Sequence, residues 1–473
     1  MNAAGGAGTG TLRAVQSNRA DAMALNSTEL GQQAYRLVAE LYPLPRSITG
    51  EGVRQTLAIL RQHIPLTVHE VPTGTRVFDW TVPSEWTIRD AYIKNAQGEK
   101  IVDFRKSNLH VVSYSAPVRQ TMPLAALKEH LFSLPEHPDW IPYRTSYYKE
   151  NWGFCLTHNQ LLSLDDAAYE VVIDSSLRAG HLTYGEFYLP GRTRDEILLS
   201  AHVCHPSLCN DNLSGVAVLT VLAKLLRSQP RRYSYRFLLI PGTIGSITWL
   251  ARNEARVPRI KHGLVLACAG DRGHSTYKKS RRGDAEIDQA ARYVLAHSGQ
   301  EYEILEFSPY GYDERQFCSP GFNLPVGCLM RTPYGRFPEY HTSADNLDFV
   351  RPECLADSLI KCLAVLDLLE NNRTYVNTNP KCEPQLGRRG LYSAMGGQAE
   401  ARMNELAMLW VLNLSDGRHT LLDIATRSGV AFDALHRAAQ ALLRHGLLKT
   451  GGAARPAARR TRTGEKSKRS PRR

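Results

Sequence analysis

The spacing of apolar residues changes three times along the chain, and each change marks a different kind of element. From about 28 to 64, apolar residues recur at helical spacing in LGQQAYRLVAELY and GEGVRQTLAILRQHI, joined by the turn-rich PLPRSITG. Between 84 and 185 the pattern becomes alternating. WTIRDAYIKNAQGEKIVDF predicts a hairpin that turns at Asn95–Gly98, and NLHVVSY and YEVVIDSSL predict further strands. From Glu196 onward strands alternate with helices. EILLSAHV, YRFLLIPG, GLVLACAG, YEILEF and PVGCLM read as strands, and 213–227, 284–297 and 353–371 as helices. This alternation predicts an α/β domain, a sheet covered by helices, built from 28–83 and 186–378 with a small β-rich domain, 84–185, inserted into it. Residues 372–392 read as a linker, and 393–450 as three helices with short turns, the texture of a winged helix.

Composition narrows the class. No run of 18 apolar residues exists, so a membrane-spanning helix is not expected. Nine cysteines, an odd number without a CxxC pair, predict reduced thiols and a cytoplasmic location. Residues 1–27 lack the apolar core of a signal peptide and read as a disordered leader. The formal charge of +12 is concentrated in the tail 451–473, which holds nine Lys or Arg and one Glu and reads as disordered. The main domain therefore shows no basic groove, and nucleic-acid binding rests only on the C-terminal helices and the tail.

Candidate chemistry gathers where strands end. In AHVCHPSLCNDNLSGV, His202 leaves an apolar strand, Asp211 follows nine residues later, and a helix begins. Open α/β sheets place their ligand crevice at such carboxyl ends, and imidazole and carboxylate are both good zinc ligands. Asp271 ends GLVLACAG in the same way, and EYHTSADNLDFV supplies His341 with Asp345 and Asp348. GYDERQF adds Asp313 and Glu314 on a loop, and Tyr310 and Tyr340 are candidates to line a pocket. His205, directly before Pro206, reads as a loop hydrogen-bonder, and YKKSRRGD as an exposed basic turn able to meet an anion.

The order H…DN-x-SG…D…YHT-x-x-D resembles the co-catalytic zinc aminopeptidases. CHPSLCNDNLSG, YKKSR, DERQFCSPGFNLPVG and EYHTSADNLDF are more closely similar to bacterial aminopeptidase-like proteins found beside polysaccharide-biosynthesis genes, across roughly 30–450. The resemblance implies a zinc-aminopeptidase-like helix–sheet–helix domain with an inserted β domain and a C-terminal winged helix. It implies one or two zinc ions, with His202, Asp211 and Asp271 on one. Asp211 would bridge to a second ion held by His341 and a further carboxylate. Asp345 would hydrogen-bond His341, and Cys204 stands where an aspartate would orient His202. The implied substrate is a small peptide or an amino-sugar amide, and a homo-oligomer is left open.

One departure matters. The resembling proteins carry a general-base Glu before Thr-Ile-Gly-Ser, whereas this chain has Gly242, followed by Thr243. Glycine can neither take a proton nor bind a cation through a side chain. Two readings follow. In one, Asp313 or Glu314 supplies the base of a zinc hydrolase. In the other, the chain is a catalytically weakened binding or regulatory protein acting through its winged helix. If position 242 once held the base, Gly242→Glu is expected to raise kcat.

Overall fold

Strands buried along their whole length must be covered on both faces, and two of them lie at the centre of the main sheet. In the computed structural model, which describes residues 27–391 and 399–451, Glu196–His202 and Ser234–Ile240 are buried at every position. The expected leader 1–27 and tail 451–473 lie almost wholly outside the described residues. The sheet has eight strands in the order Thr67–Pro72, His181–Leu189, Ser234–Ile240, Glu196–His202, Ile260–Leu266, Val326–Met330, Ser275–Lys278, Tyr302–Leu305. Its four central strands run parallel; at one edge each strand pairs antiparallel with its neighbour, and at the other Ser275–Lys278 runs antiparallel to Val326–Met330 and parallel to Tyr302–Leu305. All four parallel strands therefore present their carboxyl ends to one crevice.

Helix Gly215–Arg227 starts at this crevice, and its first residue must be glycine. A Cβ there would lie 2.5 Å from both the Leu266 carbonyl oxygen and Asn212 Oδ1. A buried charge network ties the parallel strands to the antiparallel edge. The Arg236 guanidinium holds Glu196 at 2.7 and 2.9 Å and also bonds Glu186, whose other oxygen accepts Trp249 Nε1–H at 2.8 Å.

The alternating region forms a separate antiparallel sheet, ordered Lys100–Asp103, Glu85–Lys94, Ala168–Arg178, Val118–Pro123, over its own apolar core. NLHVVSY is not a strand. It makes a short turn at Asn108–His110 and only isolated bridges, because its polar groups bond to neighbouring loops. His181–Leu189 belongs to the main sheet, so the inserted sheet ends at Arg178.

The insert is also sewn to the main domain. Tyr143 N–H donates to the His341 carbonyl at 2.7 Å, and Ser343 N–H to that of Ile141 at 2.8 Å. PLPRSITG is no exposed turn, since Arg46, Ser47 and Thr49 are buried beneath the insert, with Ser47 bonded to Ser113 and Thr49 to Tyr114.

The C-terminal unit, from Asn371, is a winged helix with helices Ala399–Leu414, Leu421–Ser428 and Phe432–Arg444. Its three-stranded sheet takes its central strand, Thr374–Asn377, from the segment that reads as a linker. Polar residues on either side of Tyr375 and Val376 hide a strand only four residues long.

Candidate metal centre

Asp211 stands at the centre of the crevice. It is 2 % exposed, with Oδ1 at 2.9 Å from His202 Nε2 and Oδ2 at 3.0 Å from His341 Nε2. His205 Nδ1 lies 3.8 Å from the same Oδ2, is buried, and has no hydrogen-bond partner. Burial alone would raise the Asp211 carboxyl, but His205, His202 and His341 pull it well below the usual carboxylate range. Burial holds His205 well below its usual value against the pull of Asp211, so its imidazole is neutral, the form that binds metals.

These residues fit a zinc ion. Ligand atoms of His202, His205 and Asp211 all lie within 4.8 Å of one another, and His341 faces them across Asp211. Imidazole nitrogens and a carboxylate together are a normal zinc donor set. The unpartnered His205 Nδ1 is the strongest sign, because buried polar atoms are rarely left unbonded. His205, which reads as a loop hydrogen-bonder from its place before Pro206, lies inside this cluster.

Surrounding groups hold the cluster rather than join it. Asp271 is fully engaged: Thr332 Oγ1–H and Gly273 N–H donate to Oδ1 at 2.6 and 2.7 Å, and Asn210 Nδ2–H and Thr332 N–H to Oδ2 at 2.9 and 3.2 Å. It therefore braces the Asp211 loop through Asn210. Asp345 does not bond His341. Its carboxyl accepts the N–H groups of Asn210 and Asp211 at 2.5 and 2.9 Å and holds that loop from behind. Burial pushes its carboxyl up to about 8, against the pull of those two bonds. Cys204 does not orient His202 either; Asn212 Nδ2 lies 3.3 Å from His202 Nδ1. Burial pushes the Cys204 thiol up to about 12, and its sulfur lies 3.4 Å from the Tyr312 hydroxyl.

Gly242 ends the strand beside His202, and the space in front of it is filled. A Cβ at 242 would lie 1.9 Å from Tyr312 Cε1. The Tyr312 ring packs at a tilt against His202, 3.9 Å between centroids, with its hydroxyl 3.3 Å from His205 Nε2. Tyr312, which carried no sequence signal, thus takes the place that a side chain at 242 would need.

The two loop carboxylates differ. Glu314 is bonded to Lys278 and accepts Tyr334 O–H at 2.9 Å and Tyr312 N–H at 3.1 Å. Lys278 also donates to the Tyr310 carbonyl at 2.9 Å, so this lysine of YKKSRRGD is a buried strut for the loop, while Arg281 and Arg282 of the same segment are exposed. Asp313 is buried, with Oδ1 accepting Ser246 O–H at 2.7 Å and Oδ2 unpartnered. Burial pushes its carboxyl up to about 6, although the charge of His202 pulls the other way.

Aromatic rings wall the centre. Tyr340 stacks on His341 at 3.9 Å, Tyr143 of the insert packs edge-on to His205 and His341 at 5.2 and 5.0 Å, and Tyr310 is 69 % exposed.

This sheet is that of the zinc aminopeptidases. A zinc aminopeptidase from Bacillus subtilis is 13 % identical, with a TM-score of 0.53 over 72 % of this chain and 94 % of its own. The chain belongs to the family described as a domain of unknown function (DUF4910), which matches residues 35–372, and a winged helix-turn-helix family matches 373–450. A Clostridium acetobutylicum protein, named for polysaccharide biosynthesis and an aminopeptidase-like domain, is 58 % identical over 90 % of this chain and 98 % of its own length. The crystal structure of a protein from that organism, named as a peptidase, is 56 % identical with a TM-score of 0.86, over 90 % of this chain and 98 % of that one. No described helix is long and apolar enough to cross a membrane.

Proposed function

We propose that this protein is a zinc-dependent hydrolase of an amide bond, in a peptide or an amino-sugar substrate, with His202, His205, Asp211 and His341 as the ligand set. The observation that carries this is the buried Asp211 carboxylate facing two imidazoles while a third, His205, keeps an unpartnered nitrogen. A zinc ion there would polarise the substrate carbonyl and acidify a bound water. Asp313 is the group that handles protons. Its free Oδ2 accepts the proton of the attacking water and returns it to the leaving amine, and a pKa of about 6 suits a base working near neutrality. Tyr312, kept protonated by burial, donates a hydrogen bond and shields His202. Glu314 is committed to Lys278 and holds the loop in place.

Asp313→Asn tests this. With metal content unchanged, kcat should fall by about 10²–10⁴, and the loss of wild-type rate on acidification through about pH 6 should disappear. Stability should move oppositely. A carboxyl raised in the folded state contributes stability that is present below its unfolded pKa and lost as pH rises through the folded one. Relative to wild type, the variant should therefore melt higher at pH 8 than at pH 4. Full turnover in the variant would remove Asp313 from the mechanism. Stoichiometric zinc without turnover on any amide would instead favour a binding protein.

A further inference from the structure

We infer that Arg46 is a positioning residue for the metal centre: by holding the His205 carbonyl it fixes the place of the His205 imidazole. The inference rests on the zinc reading and concerns a residue outside the ligand set. His205 stands on the segment 203–208, between the end of strand Glu196–His202 and the segment Cys209–Ser214 that carries Asp211. No helix or strand holds 203–208. Among the described residues, the backbone of 204–207 makes a single hydrogen bond, from Arg46 Nε–H to the His205 carbonyl at 2.9 Å. Pro206 has no N–H to add another. Ser207 has a φ of 41°, a left-handed conformation that a side-chain-bearing residue adopts at a cost.

The imidazole does not anchor itself. Its Nδ1 has no hydrogen-bond partner, and its Nε2 meets the Tyr312 hydroxyl at 3.3 Å. The rings of His202, Tyr143 and Tyr312 surround it, at 4.9, 5.2 and 5.7 Å between centroids. They limit its tilt, but a ring in such a cage still moves with its own backbone. Arg46 is anchored at its other side. Its Nη1 donates to the carbonyl of Leu41, at the end of the helix 27–41, and Ser207 O–H donates to the adjoining Tyr42 carbonyl at 3.0 Å. The guanidinium thus ties the His205 loop to the end of a helix.

Charge does not account for an arginine here. Arg46 is 1 % exposed, and burial pushes its guanidinium down to about 10, so it stays charged at neutral pH. Among the described residues it forms no ion pair, and its Nη2 is unpartnered. A buried charge without an opposite one is costly. Its sign is also wrong for holding a metal. The charge is felt at His205, where it disfavours a proton, and it opposes a metal cation in the same way. What arginine offers is a rigid planar fork that reaches two carbonyls at once.

The test uses the full chain and measures zinc affinity by competition with a chromophoric chelator, beside the visible absorption of the cobalt(II)-loaded protein. Arg46→Lys keeps the charge and loses the fork, whereas Arg46→Met loses both. If Arg46 acted by charge alone, the methionine variant would bind zinc more tightly and the lysine variant like wild type. Positioning requires the opposite sign. Both variants should bind zinc about 10–100-fold more weakly, the usual loss when a group supporting a ligand is removed. Their cobalt spectra should move in the direction that His205→Ala moves them. In a His205→Ala background, Arg46→Lys should change zinc affinity by less than about twofold, because the residue it acts through is gone. Melting curves in chelator report the fold of each variant; should the methionine variant not fold, the lysine variant and its His205→Ala partner decide. Unchanged or tighter zinc binding in Arg46→Lys, or the same loss with and without His205, overturns the inference and leaves the zinc reading standing. A wild-type chain that takes up neither zinc nor cobalt overturns both.

Discussion

Asp211→Asn should strip zinc from the protein, abolish hydrolysis and lower the melting temperature even in the presence of chelator. Both oxygens of this buried carboxylate face imidazole nitrogens, at 2.9 and 3.0 Å. Asparagine turns one of those oxygens into a donor, so one imidazole loses its partner and the site loses its only negative charge in direct contact with the histidines. Breaking a buried charged pair on one side costs about 3–5 kcal/mol. Loss of a group that merely supports a ligand weakens metal binding about 10–100-fold, and loss of a ligand should exceed that. Metal analysis of the purified variant, with thermal melts in chelator, decides the matter. An asparagine variant that retained one zinc per chain would show that Asp211 is not a ligand.

Gly242→Glu should be the second most damaging change, and not the gain of function that the sequence alone suggests. The obstacle is steric, since a Cβ at 242 would meet the Tyr312 ring at 1.9 Å. Overpacking of this kind costs about 1–3 kcal/mol, and moving the ring aside forfeits its packing on His202. Removal of the ring should reverse the sign. Tyr312→Ala combined with Gly242→Glu should recover most of the lost stability, and any rise in kcat should appear only in the double variant. Four melting curves form the cycle. Strict additivity would show that the two positions do not compete for one space.

His202, Asp211 and His341 were legible in the chain because each follows an apolar run or lies in a motif whose spacing places it at the crevice. Asp271 met the same criteria, yet its lone pairs go to Thr332, Gly273 and Asn210, a competition between distant residues that no local pattern records. His205 was hidden for the opposite reason, because a residue before proline reads as a loop wherever the fold later carries it. Tyr312 and Tyr143 reach the centre from separate loops and matter only through contact. Among the strands, His181–Leu189 was obscured by Gly185 within it and Gly191 just after it, which read as turn glycines. Ser275–Lys278 was obscured by Lys278 and the Lys279 that follows it, the first of which is buried against Glu314.

The backbone bonds between 141–143 and 341–343 tie the inserted domain directly to the His341 loop. A shift of the insert would therefore be felt at the His341 imidazole, and linkage makes that influence mutual: whatever occupies the metal centre also weighs on where the insert sits.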